Sequence, residues 1–278
     1  MQVGRPRGRR RRAGVRGALA AAVAAGALAG AFTTARAAQP GEAPPVAFES
    51  IPGVPDEWTA LLNGYVVDPK TYGPRLIALE REGGAGLPPM FQMAIGDAYL
   101  RAGNRRAAEA VFEQTLTQNP GPPYGEFANL GIGMIRMVGG DEDGALDYFV
   151  RVAESEEVGA QALGNLGMGA ALSASGRFAE AQEAFAETAA ISNVDENVRQ
   201  AGRFGSAMAL FGAGDFEAAA RAFDEIAKLD PGGTVAQDAR YAAARARLEM
   251  GDREGGAAAL RELVGSCPER STSRRAPR

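Results

Sequence analysis

Histidine is absent from this sequence of 278 residues, and cysteine occurs once, at Cys267. Without histidine, the chain lacks the most common general base and the most common metal ligand. A single cysteine excludes a disulfide within the chain and a cysteine-rich zinc site. Because Cys267 lies near the C-terminus, we interpret it as an incidental small side chain. We therefore expect no catalytic residues, no cofactor and no metal ion.

Acidic side chains are missing from the first 37 residues, which contain eight arginines. An apolar run from Ala18 to Phe32 follows the arginine-rich stretch, and Ala35 and Ala37 supply the small residues that a signal peptidase recognises. We predict an export signal over residues 1–37 that is cleaved after Ala37. The protein is then expected in the periplasm or cell envelope.

The export route and the fate of this segment stay open. Arg11 and Arg12 resemble a twin-arginine signal, but Ala13 stands close behind them where a large apolar residue is expected. The apolar run is short for a membrane span, yet an uncleaved anchor is an alternative. A nucleic-acid-binding arm would explain the arginines but not the apolar run behind them.

The rest of the chain is strongly acidic, with 22 basic and 34 acidic side chains and a formal net charge of −12. A body of this charge repels phosphate backbones, so we predict no nucleic-acid partner. Association with a membrane would occur only through an uncleaved N-terminal segment.

Three further segments are distinguished by composition and pattern. Residues 38–54 are rich in proline, glycine and alanine and predict a flexible linker. Residues 55–88 predict a helical element with one helix after Pro55 and a second from Tyr72 to Arg81, serving as a cap or as a separate docking element. Residues 271–278 are polar and basic and predict a disordered tail.

One pattern recurs five times at intervals of 36 to 38 residues: a glycine, a small residue five positions later and a large apolar residue four positions later again. The copies are Gly103/Ala108/Phe112, Gly140/Ala145/Phe149, Gly176/Ala181/Phe185, Gly214/Ala219/Phe223 and Gly251/Gly256/Leu260. A period in this range predicts a stack of helical hairpins, because one hairpin cannot bury its apolar face alone. Each glycine is expected to end the first helix of a hairpin.

The pattern resembles the tetratricopeptide repeat over residues 89–270, although Arg136 and Arg247 replace its tyrosine. The resemblance implies an all-α solenoid of about five hairpins in a right-handed superhelix. Asn129 and Asn165 recur 36 residues apart, which favours a structural hydrogen bond at this repeat position.

In tetratricopeptide proteins the first helix of each hairpin lines the concave face. Carried over by position, this implies an apolar, methionine-rich groove for a protein or peptide segment, formed by Met93, Phe127, Leu130, Met134, Met137, Leu166, Phe204, Met208 and Phe211. The fifth repeat contributes Asp238, Tyr241, Arg245 and Leu248 at the same positions. Alternatively, some of these residues pack against the neighbouring hairpin or under the N-terminal helices.

These features together predict a non-enzymatic scaffold or adaptor for protein–protein interaction in the periplasm or cell envelope. One alternative is an inner-membrane-anchored accessory subunit of a secretion, envelope-assembly or cell-division complex. Another is an enzyme with its site in residues 55–88, which the absence of histidine disfavours.

Cleavage after Ala37 is open to a direct test. We expect N-terminal sequencing of the protein exported by a bacterial host to begin at Ala38 in the soluble envelope fraction. An Ala37→Leu variant is the control and should keep the segment, because the cleavage site requires small residues. Recovery of the unaltered protein from membranes with residues 1–37 attached would contradict the prediction and favour the anchor.

Overall fold

The computed structural model of the chain describes residues 51–83, 86–229, 231 and 234–266. That part of the chain contains twelve helices and no strand. In chain order the helices are α1 (Asp56–Val67), α2 (Pro69–Gly83), α3 (Pro89–Arg101), α4 (Arg105–Gln118), α5 (Tyr124–Gly139), α6 (Glu142–Ala153), α7 (Val158–Ala174), α8 (Phe178–Ala190), α9 (Glu196–Ala213), α10 (Phe216–Leu229), α11 (Thr234–Met250) and α12 (Arg253–Ser266). The predicted signal segment, residues 38–50 of the predicted linker, Cys267 and the predicted tail 271–278 lie outside the described residues.

The helices form a stack of antiparallel hairpins. Each helix packs against the next one in the chain, which gives hairpins 1 to 5 as α3/α4, α5/α6, α7/α8, α9/α10 and α11/α12. The first helices of successive hairpins also touch one another, from α3 through α5, α7 and α9 to α11. This arrangement confirms the predicted all-α class and the predicted stack of hairpins.

The turn inside each hairpin is made by the glycine that the repeat pattern singled out. The glycines have left-handed φ angles between 76° and 93° and stand at positions 103, 140, 176, 214 and 251. In hairpin 2, the Gly140 N–H donates to the Met137 carbonyl at 3.1 Å and the Asp141 N–H donates to the Arg136 carbonyl at 3.0 Å. These bonds satisfy the last carbonyls of the first helix, and glycine adopts the required φ without steric cost.

The side chain of the residue after the glycine caps the second helix in four of the five hairpins. The Asp141 side chain accepts a hydrogen bond from the Gly144 N–H at 3.1 Å and so caps α6. The equivalent caps in the other three hairpins are Asn104, Asp215 and Asp252. Hairpin 3 has Arg177 instead, whose guanidinium pairs with Glu180 in the first turn of α8. A glycine followed by Asn or Asp therefore ends one helix and starts the next.

In hairpins 1 to 3, a phenylalanine from the second helix fills the space between two neighbouring first helices. Phe149 of α6 is fully buried between Gly133 of α5 and Gly167 of α7. A Cβ atom would lie 2.7 Å from the ring at Gly133 and 2.4 Å from it at Gly167. Phe112 and Phe185 fit between pairs of glycines in the same way. Because one ring contacts two hairpins, the apolar clusters extend across the boundaries between hairpins.

Polar contacts link some hairpins at the tyrosine position of the repeat. The Tyr99 hydroxyl donates to Glu80 of α2 at 2.6 Å. Where arginine replaces tyrosine, the Arg136 Nε atom lies 3.1 Å from a carboxylate oxygen of Glu109 in α4. The Arg247 Nη2 atom lies 2.5 Å from a carboxylate oxygen of Asp224 in α10. Each contact reaches a carboxylate on the preceding second helix, so the two arginines keep the link that the tyrosine makes in hairpin 1.

Helices α1 and α2 form an N-terminal hairpin that packs onto hairpin 1. Leu62 and Leu76 belong to the same core cluster as Phe91 and Phe112. These helices therefore share one core with hairpin 1, and their role as a cap or as a docking element stays a prediction.

The start of α2 differs from the prediction. The helix begins at Pro69, three residues before the predicted Tyr72. The Asp68 carboxylate accepts a hydrogen bond from the Thr71 N–H at 3.2 Å, and proline is favourable in the first turn. The sequence Asp-Pro therefore starts the helix.

A hydrogen bond ties α1 to the first helix of hairpin 1. The Tyr65 hydroxyl donates to the Asp97 carboxylate at 2.6 Å. Burial, with a smaller contribution from Asp97, raises the pKa of Tyr65 far above its ordinary value. The phenol therefore stays protonated and donates this bond at neutral pH.

The fit between phenylalanine and glycine predicts different outcomes for two changes in one helix. We expect Gly167→Ala in α7 to lower the free energy of unfolding by about 1–3 kcal/mol, because the new methyl group overlaps the Phe149 ring. Gly159→Ala in the same helix meets open space and is the control, which should be neutral or stabilising by about 0.5–1 kcal/mol. Urea unfolding followed by far-ultraviolet circular dichroism measures both, and equal effects would refute the proposed fit.

Candidate partner-binding groove

A groove opens between α9 and α11, the first helices of hairpins 4 and 5. Its volume is about 390 Å³. The side chains that line it are Asn197, Gln200, Ala201, Phe204, Met208, Phe211, Val235, Asp238, Tyr241, Ala242 and Arg245. Most of this surface is apolar, and the polar groups stand at its two ends.

The floor of the groove is held from below by aromatic contacts. Phe204 and Phe211 of α9 are buried, and Met208 lies between them on the same face. The centres of the Phe204 ring and the Phe223 ring of α10 are 5.2 Å apart. The centres of the Phe211 and Phe216 rings are also 5.2 Å apart. Because both rings are packed against the second helix, the floor is formed in the absence of a partner.

The side of the groove formed by α11 carries an exposed ring and two charges. Tyr241 is 49% exposed. The Arg245 guanidinium carbon lies 5.5 Å from the centre of the Phe211 ring, where the ring face attracts a cation. Within the described part of the chain, neither Asp238 nor Arg245 has an ion-pair partner.

The arginines at the start of α9 are already paired. Arg203 lies 2.8 Å from Glu196, and Arg199 contacts the other oxygen of the same carboxylate. Hydrogen bonds from Arg203 and Arg199 lower the pKa of Glu196, which therefore stays charged at neutral pH. The charged residues that line the groove are Asp238 and Arg245, and their charges are left for a partner.

The structure brings three of the nine predicted groove residues together, namely Phe204, Met208 and Phe211. The other six do not line this groove. Leu130, Met137 and Leu166 are buried between hairpins, and Met93 and Met134 are half-buried against the core. Phe127 is 42% exposed on α5. The five residues other than Phe127 therefore pack against the core between hairpins.

Glycine content explains why the groove opens at this end of the stack. Helices α3, α5, α7 and α9 each contain a glycine against a phenylalanine ring, which lets their backbones approach closely. Helix α11 has no glycine, and it touches α9 less than α7 does. The lining positions of α7, Leu166, Ala170 and Ser173, are consequently closed off, whereas those of α9 face a gap.

Several lining residues were absent from the predicted set of nine. Asp238, Tyr241 and Arg245 occupy the predicted lining positions of the fifth repeat and do line the groove. Ala201 stands at the same repeat position as Phe127 and would have been found by that spacing. The repeat spacing gives no such signal for Asn197, Gln200, Val235 and Ala242, because they fall outside the lining positions.

One recurring polar residue has a structural partner. The Asn129 side chain donates to the Gly125 carbonyl at 2.8 Å and is buried in α5. This is the structural hydrogen bond that its recurrence with Asn165 favoured, and Asn165 is likewise buried in α7.

Two other kinds of feature are absent from the described residues. Groups of three or more cysteine and carboxylate side chains that would hold a metal ion do not occur there. None of the helices in that part of the chain combines the length and apolarity needed to span a bilayer.

Two family models match the sequence, and both describe the tetratricopeptide repeat. One matches residues 93–157 and 166–234, and the other matches residues 238–269. The matches together cover more than half of the chain. The chain belongs to the tetratricopeptide repeat family.

Solved structures agree with this family at the level of the fold. Two crystal structures of nearly identical TPR-like repeats from Podosopora anserina have TM-scores of 0.56 and 0.55 and are 16% and 15% identical to this chain. Each match covers 63% of this chain and 92% of the other. The crystal structure of the APC/C hetero-tetramer Cut9-Hcn1 has a TM-score of 0.50 at 16% identity, with 75% of this chain and 42% of the other covered. A comparison with curated proteins gave no match.

Membership of the family fixes the general class of function. Tetratricopeptide repeats bind protein or peptide partners, and the fold is generally a non-catalytic scaffold. This chain is accordingly a scaffold for protein–protein interaction.

Proposed function

We propose that this protein is an exported, non-enzymatic scaffold or adaptor of the periplasm or cell envelope. On this proposal, the groove between α9 and α11 binds an apolar segment of a partner protein. The N-terminal sequence supports export, since arginines, an apolar run and small residues follow one another within residues 1–37. The lack of histidine supports a function without catalysis.

The observation that carries the binding proposal is the preformed apolar floor beside an exposed aromatic ring. Phe204, Met208 and Phe211 form the floor, and Tyr241 stands 49% exposed at its edge. A volume of about 390 Å³ is within the usual range for binding pockets. Burying one large apolar side chain there contributes about 1.5–3 kcal/mol. Methionine adapts its shape to different side chains, which suits an adaptor.

The alternative is an accessory subunit held at the inner membrane by an uncleaved N-terminal segment. It rests on the apolar run from Ala18 to Phe32. The repeats would then serve a secretion, envelope-assembly or cell-division complex, with the groove as the same binding surface. The N-terminal sequence of the exported protein decides between the two forms.

A matched pair of substitutions tests binding in the groove. Peptides are selected from a displayed library of random sequences on the purified full chain, and their affinities are measured by fluorescence anisotropy. We expect Tyr241→Ser to weaken binding about tenfold, or about 1.4 kcal/mol, because the ring contributes to the contact. Val264→Ser in α12 removes an apolar side chain that is 75% exposed outside the groove and should leave affinity unchanged.

Both positions are exposed enough for the variants to fold, which circular dichroism verifies. The proposal fails if no peptide is enriched, or if the two variants bind the selected peptides equally well.

A further inference from the structure

The two charges that line the groove stand on one face of α11. Asp238 and Arg245 are seven residues apart, which places them two turns apart and about 10.5 Å along the helix axis. Tyr241 lies between them on the same side, and all three line the groove. The groove therefore has an acidic end at Asp238, a basic end at Arg245 and an apolar middle.

Arg245 places the basic end of the groove beside the C-terminal end of α9. Its guanidinium stacks on Phe211, near the C-terminal end of α9, while Asp238 shares the opposite end with Asn197 and Gln200. The floor residues Phe204 and Met208 lie between these ends. A segment that fills the groove consequently passes an acidic group, an apolar floor and a basic group in that order.

A partner that covers the groove removes both charges from water. A buried charge without a counter-charge is unfavourable, and within the described residues neither charge has an ion-pair partner to compensate for the loss of water. An apolar segment without charges would leave both uncompensated. The occupant must therefore bring a basic group to Asp238 and an acidic group to Arg245.

The separation of the charges also indicates the conformation of the occupant. Residues i and i+7 of a helix lie on one face about 10.5 Å apart, with i+3 and i+4 between them. In an extended segment, same-side residues are about 6.6 Å or 13 Å apart, which fits the spacing less well. A helix lying along α11 matches both charges and sets its central apolar residues against the floor and Tyr241.

We propose that the partner segment is an amphipathic helix with a basic and an acidic side chain seven residues apart and large apolar side chains midway between them. This rests on the proposed binding function of the groove and goes beyond it by stating the chemistry of the ligand. The charges on α11 act as the specificity determinants, and the α9 floor supplies the apolar contact.

Charge-changed forms of the full chain test this inference through the peptides that they select. The probe is a displayed library of random 16-residue peptides, selected in parallel on each form. The unaltered chain is expected to enrich peptides with opposite charges at i and i+7. Arg245→Asp should enrich peptides with two basic residues at those positions, and Asp238→Arg peptides with two acidic ones.

Arg253→Asp in α12 is the control, because it makes the same charge change as Arg245→Asp outside the groove. It should select the same peptides as the unaltered chain. For a synthetic peptide of the enriched pattern, exchange of its acidic residue for lysine should weaken binding to the unaltered chain at least fivefold. The same exchange should strengthen binding to Arg245→Asp.

Each other outcome overturns the inference in an identifiable way. Enriched peptides that are apolar without paired charges, or a pattern that does not follow the groove charges, would refute it while leaving the binding function intact. If the enriched peptides carry their charges at i and i+4 and lack a helical pattern, the bound segment is extended and not helical. Absence of any enriched peptide would remove the binding function as well.

Discussion

The stack depends on one packing constraint, the fit of a phenylalanine ring between two helices that carry glycine where the ring meets them. Phe149 touches Gly133 within its own hairpin and Gly167 in the next, and a methyl group at either position would overlap the ring. Each ring thereby determines how closely two hairpins approach. The recurring glycines in the first helices, unfavourable for helix propensity, are thus required by the contacts between repeats.

The sequence was sufficient to predict the architecture, because the repeat pattern consists of the residues that create it. The glycine at each turn adopts a left-handed φ, and Phe112, Phe149 and Phe185 are buried as the repeat requires. The start of α2 was predicted less well, since the capping contribution of Asp68 followed by Pro69 was overlooked. Local signals of this kind lie outside the repeat, and no second copy reinforces them.

The location of the groove could not be read from repeat position. Leu166 and Ala170 of α7 occupy the same repeat positions as Phe204 and Met208 of α9, yet the first pair is closed off by a neighbouring helix and the second faces a gap. The difference comes from the following helix, because α11 lacks the glycines that allow close approach. Whether a lining position is available to a partner therefore depends on the helices on both sides of it. Their spacing is known only from the three-dimensional structure.

The polar links at the tyrosine position make some interfaces between hairpins respond to ionic strength differently from others. Arg136 and Arg247 bind carboxylates of the preceding hairpin as partly exposed ion pairs, whereas Leu172 and Leu210 occupy the same position in hairpins 3 and 4. Dissolved salt screens the former and leaves apolar contacts intact or strengthens them. Added salt thus weakens the polar links in front of hairpins 2 and 5 but not the apolar packing between the hairpins. The α9–α11 groove lies beside one of these two links, because Arg247 of α11 pairs with Asp224 of α10.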